Sequence, residues 1–141
     1  MHTGPRSLTV LCLLVLAAAC GSSPTSPSNV PFSQFDLRVG TGADAVNGRR
    51  LTVNYTGWLY DASKTDQKGA QFDTSVGKTP FAFTLGAGQV IAGWDQGIVG
   101  MKAGGVRRLV IPPNLGYGAT ANGPIPGNST LVFEVELLTV Q

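Results

Sequence analysis

Apolar and polar residues alternate along most of this chain, and one short stretch breaks the alternation at helical period. Over residues 50–60, Leu51, Val53, Tyr55 and Leu59 share one face with Gly57, while Thr52, Asn54, Thr56, Trp58 and Tyr60 share the other. A period of two predicts a half-buried strand. Shorter strands are predicted at 35–39, 71–75, 80–86 and 106–111. A last strand is predicted at 130–140, where Leu131, Phe133, Val135 and Leu137 alternate with Glu134 and Glu136. In 90–101 the rule changes. Ile91, Trp94 and Ile98 fall at i, i+3 and i+7, which puts them on one face of a short helix.

The breaks between these segments are turn chemistry. Gly40, Gly42 and Asp44 mark one turn, and Gly104-Gly105 another. Pro112-Pro113 ends the strand before it, because proline has no N–H for a sheet ladder. Residues 61–70 read as a solvated polar loop. Residues 114–126 form a long irregular segment, apolar enough to cover something. Several strands joined by turns, with one late helix, predict an α+β fold: a curved antiparallel sheet wrapped around one short α-helix.

The N-terminus is different in kind. Arg6 precedes a run of apolar residues over 8–19 broken only by Thr9, which is the length of a signal h-region rather than of a membrane span. Leu16-Ala17-Ala18-Ala19-Cys20-Gly21 resembles a bacterial lipobox, in which the cysteine is lipidated and becomes the mature N-terminus. Residues 1–19 are expected to be a lipoprotein-type signal peptide. Cys12 would leave with it, so Cys20 would remain without a disulfide partner, and acylation accounts for it. Residues 20–33 are Ser/Pro-rich and uncharged, and are expected to form a tether. The folded domain is expected at 34–141. The expectation is an exported protein, lipid-anchored to the cell envelope and facing the periplasm, with the outer membrane favoured where there are two.

Composition narrows the chemistry. Ten Lys and Arg against eight Asp and Glu leave no electrostatic footprint for nucleic acid. The pairs Arg49-Arg50 and Arg107-Arg108 read as solvated faces flanking strands. The single histidine is His2, so the domain has no imidazole for a nucleophilic triad and no His/Cys cluster for zinc. No phosphate-binding loop motif is present. No cofactor or metal is expected.

Six short motifs then fall in a recognisable order: Asn54-Tyr55-Thr56-Gly57, Phe72-Asp73-Thr74-Ser75, Pro80-Phe81-Ala82-Phe83, Val90-Ile91-Ala92-Gly93-Trp94, Tyr117-Gly118-Ala119 and Leu131-Val132-Phe133-Glu134-Val135-Glu136-Leu137. In that order and spacing the chain resembles the FK506-binding proteins, which are peptidyl-prolyl cis–trans isomerases. The resemblance runs from about residue 35 to the end. It implies a half-barrel sheet curled around the helix, with an apolar pocket for a proline ring between them. Trp94 would be the floor, and Tyr55, Phe72, Phe81, Val90, Ile91 and Phe133 the walls. Tyr117 would offer its hydroxyl to a substrate carbonyl, Asp73 would approach the isomerising amide, and Ile125 would reach in from the covering loop. The Ile91 backbone would donate to the bound peptide. The implied partners are proline-containing polypeptides and macrolides of the FK506 and rapamycin type.

One departure touches the site. Family members commonly pair the aspartate with an arginine shortly after it. Here Val76-Gly77-Lys78-Thr79 offers only Lys78, and a lysine lacks the arginine fork. Two functions use the same pocket: isomerisation of Xaa-Pro bonds in exported proteins, or non-catalytic holding of proline-containing segments. A third, a surface domain that kept only the fold, is expected to have lost the pocket aromatics, and this chain keeps them.

Overall fold

A computed structural model of the chain describes residues 30–141. The predicted signal peptide, Cys20 and most of the tether lie outside the described residues. Six strands and one short α-helix follow in the order β1 (Ser33–Arg38), β2 (Arg50–Tyr60), β3 (Lys68–Thr74), β4 (Phe81–Thr84), α1 (Ala92–Gly97), β5 (Val106–Ile111) and β6 (Leu131–Val140). Among the described residues a single 3-10 turn, Pro113–Leu115, follows β5.

All pairings are antiparallel, in the spatial order β1-β5-β6-β2-β3, and the sheet is open rather than closed into a barrel. Strand β2 is long enough to take two partners on one edge. Residues 56–60 pair with β3, and residues 50–53 pair with β4. The inward face of β2 and β6 carries Leu51, Val53, Phe133, Val135 and Leu137, all buried. Helix α1 lies over this face. It is seated closely because Gly93 and Gly97 have no side chains: a Cβ at Gly93 would stand 2.6 Å from Ile111 Cγ2, and one at Gly97 would stand 2.6 Å from Leu109 Cδ2.

Three expectations change. The helix spans only six residues, shorter than the periodic stretch. Ile91 is its extended N-cap, and Ile98 its C-cap, so both flank the helix. Strand β3 begins at Lys68, three residues before the strand expected at 71–75, and shortens the loop before it. Finally, Arg107 is not solvated. It is 7% exposed, and its guanidinium donates to Asp36 Oδ1 at 2.6 Å and to the Gly97 and Val99 carbonyls at 2.8 and 3.0 Å. The reason is geometric. Arg107 stands on the inward face of β5, where the end of α1 presents unpaired carbonyls, as any helix C-terminus does. Arg108 faces outward, as expected, and reaches the Asp66 carbonyl.

Candidate active site

A cavity of about 370 Å³ opens between the sheet and α1, lined by Tyr55, Phe72, Asp73, Phe81, Gln89, Val90, Ile91, Trp94, Tyr117 and Phe133. The elements that build it are β2, β3, β4, the approach to α1, α1 itself, β6 and the segment after the 3-10 turn. Residues far apart in sequence meet here because β2 pairs with three other strands.

Trp94 lies at the bottom, 4% exposed. Tyr55 and Phe133 meet it edge to face, with ring centroids at 5.1 and 5.3 Å. Phe81 meets it at 6.2 Å. Phe72 stands against Phe133 at 5.5 Å, again T-shaped. Such edge-to-face packing fixes ring orientation beyond what burial alone would do. Two rings come this close to the backbone of β2 only because position 57 is glycine: a Cβ there would stand 2.6 Å from Phe72 and 2.7 Å from Phe133. The Trp94 Nε1–H is buried with no hydrogen-bond partner among the described residues. An unsatisfied donor of this kind is a cost that native proteins keep rarely.

The polar part of the cavity is small. Asp73 accepts from the Tyr55 hydroxyl at 2.6 Å and from the Thr74 N–H at 2.8 Å. Burial, then Asp73, raises the Tyr55 phenol well above its usual range. Burial, then the Asp73 charge, also raises Tyr117. A phenol is already protonated at neutral pH at its ordinary value of about 10, so both hydroxyls are donors. The Ile91 N–H has no acceptor among the described residues. It sits at the mouth of α1 with its donor free.

Lys78, the cation that follows Asp73 in sequence, forms no ion pair with it or with any other carboxylate among the described residues. The partner of Asp73 is Tyr55, whose backbone is held in turn. Ser75 donates its N–H to the Tyr55 carbonyl and accepts the Tyr55 N–H at its hydroxyl, both at 2.9 Å. Ser75 is buried and was legible only as the last member of the Phe72-Asp73-Thr74-Ser75 motif.

Nine of the ten candidate residues surround this cavity. Ile125 does not. Reciprocal backbone hydrogen bonds between Asn122 and Ile125, both 2.9 Å, close a tight turn, and the Ile125 side chain is buried in the core. Gln89 lines the cavity and was not anticipated. Its neighbours Val90 and Ile91 carried the motif, and a polar side chain before them gave no separate signal.

A family model described as FKBP-type peptidyl-prolyl cis-trans isomerase matches residues 42–138. The chain is 52% identical over 107 residues to a protein named FK506-binding protein from Neisseria meningitidis serogroup A, covering 74% of this chain and 92% of that one. It is 45% identical over 105 residues to FK506-binding protein 1 of Aspergillus oryzae, covering 72% and 90%. Among solved structures, the crystal structure of AtFKBP13 superposes with a TM-score of 0.67 at 36% identity, covering 78% of this chain and 93% of that one. The crystal structure of FkpA from Escherichia coli superposes with a TM-score of 0.65 at 40% identity, covering 78% and 48%.

Proposed function

The chain belongs to the FKBP-type peptidyl-prolyl cis–trans isomerases, and we propose that it accelerates Xaa-Pro bond rotation in exported proteins by binding the proline in the aromatic cavity over Trp94. The observation that carries this reading is the cavity itself: edge-to-face aromatic walls on a buried tryptophan, with one carboxylate and one free phenol at the rim.

Rotation about a peptide bond meets a barrier of ~18–20 kcal/mol because it breaks amide resonance. Xaa-Pro bonds populate both isomers, yet exchange takes tens to hundreds of seconds unaided. In the twisted transition state the amide loses its resonance and its carbonyl becomes less polar. A dry aromatic site destabilises the planar, polarised amide more than the twisted one. Catalysis is then differential binding, with no covalent step and no cofactor. Each ~1.36 kcal/mol gained in this way is tenfold in rate.

The roles follow from position. The proline ring takes the space bounded by Trp94, Phe133, Tyr55 and Phe72. The Ile91 N–H donates to a peptide carbonyl, and Tyr117 donates to a second. Asp73 sits beside the rotating amide, fixed by Tyr55. The same cavity accommodates macrolides of the FK506 and rapamycin type. For the organisation of the whole chain, the proposal is a signal peptide over 1–19, lipidation at Cys20, a tether over 20–33 and an isomerase domain over 34–141. Together these hold the enzyme at the cell envelope, facing the periplasm.

The test is isomerisation of a short Xaa-Pro peptide by the purified protein, with and without FK506. Acceleration abolished by the drug is the expected result. Drug binding without acceleration makes the pocket a holding module for proline segments, and neither activity ends the reading. The anchor is tested separately: the protein partitions with membranes, and Cys20→Ser releases it.

A further inference from the structure

One wall of the cavity is the loop between β4 and α1, which contributes Gln89, Val90 and Ile91. Gly86 and Gly88 sit at φ of 79° and 70°, which only glycine adopts freely. The helix that follows has no side-chain cap at Ile91. What holds the loop is the helix residue next to the floor. Asp95 accepts the Gly86 N–H at Oδ1 (2.8 Å) and the Gly88 N–H at Oδ2 (3.1 Å). Gln89 Oε1 adds a tie to the Thr84 N–H at the end of β4, 2.8 Å.

The geometry points to Asp95 as a positioning residue for the substrate pocket, an assignment that rests on the isomerase reading above. Asp95 does not line the cavity. It follows Trp94 directly, so the residue that anchors the wall is rigidly joined to the residue that forms the floor. Both carboxylate oxygens are used, and hydrogen bonds to a charged acceptor are stronger than neutral ones. A wall held in place before substrate arrives loses less freedom when substrate binds. Val90 and Ile91 flank the proline ring in the planar and twisted states alike. Loosening them therefore weakens ground-state and transition-state binding together, which appears in KM rather than in kcat.

The test is Asp95→Ala, read in three ways on the whole protein. KM for an Xaa-Pro peptide rises roughly three- to tenfold, with kcat within about twofold of wild type. FK506 affinity falls by a similar factor. Hydrogen exchange quickens at the Gly86 and Gly88 amides, while the β5–β6 amides keep their protection. Asp95→Asn retains one acceptor oxygen and lies between wild type and alanine. A fall in kcat at constant KM, or exchange that rises evenly through β5 and β6, overturns the assignment. A wild-type protein that neither isomerises nor binds FK506 refutes the isomerase reading instead, and exchange at Gly86 and Gly88 still decides whether Asp95 holds the loop.

Discussion

The Tyr55 hydroxyl donates to Asp73 across 2.6 Å. This bond connects a pocket wall to the carboxylate at its rim, and it stands where an arginine partner is absent. Asp73→Val is therefore expected to lower kcat/KM with the fold retained. The loss should be roughly ten- to a hundredfold, since a hydrogen bond involving a charged group is worth about 1.5–3 kcal/mol. Tyr55→Phe keeps the ring and removes only the donor, so its loss should be smaller and in the same direction. Peptide isomerisation rates with a thermal melt on each variant check this. Rates at the wild-type level in both would show that the carboxylate does not act on the substrate.

The cavity was legible because its residues occupy short motifs on separate strands, and strand pairing is the simplest way to bring such motifs together. Tyr55 and Phe133 are on β2 and β6, which pair directly over their length. What was illegible depended on a single residue's orientation. Arg107 and Arg108 look alike in the sequence, yet the pleat sends one inward to the end of α1 and the other to the outer face, where it donates to the Asp66 carbonyl. Ile125 is as apolar as the pocket walls, and only the backbone turn at Asn122 decides that it faces the core. The exposed apolar side chains of β1, Phe35 and Leu37, show the same limit: alternation predicted the strand, but β1 is an edge strand and these residues face solvent.

Trp94 joins the floor of the pocket to the core. Its ring touches Phe83 from the core side and Tyr55 and Phe133 from the pocket side. Trp94→Ala is expected to cost about 3–5 kcal/mol of stability, the range for removing a buried aromatic side chain. It should also abolish FK506 binding at temperatures where the variant is still folded. A denaturant titration gives the first quantity and calorimetry the second. A stable variant with full drug affinity would remove Trp94 from the floor.

Gly57 sets how deeply two pocket rings can sit. Alanine there puts a methyl group 2.6 Å from Phe72 and 2.7 Å from Phe133, so both rings must move. Overpacking of this kind typically costs 1–3 kcal/mol, about the same here. The rings that move are walls of the site, so Gly57→Ala should lose more FK506 affinity than its stability loss alone explains. Comparing it with Gly48→Ala is informative, because no atom lies within 4 Å of a Cβ there, although its φ of 90° strains any side chain. Equal drug affinity in the two variants would count against the wall assignment of Phe72 and Phe133.

The ion pair between Asp36 and Arg107 makes stability depend on pH in a predictable direction. The Arg107 hydrogen bonds hold the Asp36 carboxyl below its ordinary value of 3.8, against a smaller opposing effect of burial. As pH falls, the unfolded chain therefore protonates this carboxyl first. In that window the unfolded state binds more protons, so stability falls as the solution is acidified. The contribution is complete above the ordinary carboxylate range and is lost as pH drops through the lower folded value. Asp36→Asn removes the charge at every pH. Denaturant midpoints should accordingly differ between wild type and Asp36→Asn at neutral pH, and the difference should shrink as pH is taken below the ordinary carboxylate range and the folded carboxyl takes up its proton. The partner matters more than the aspartate, because Arg107 also satisfies the Gly97 and Val99 carbonyls at the end of α1. Arg107→Met leaves those acceptors without their donor and Asp36 without its cation, so it should be the more destabilising change at pH 7. A midpoint difference that stays constant with pH would mean that the Asp36 charge contributes nothing, and that Arg107 acts through the carbonyls alone.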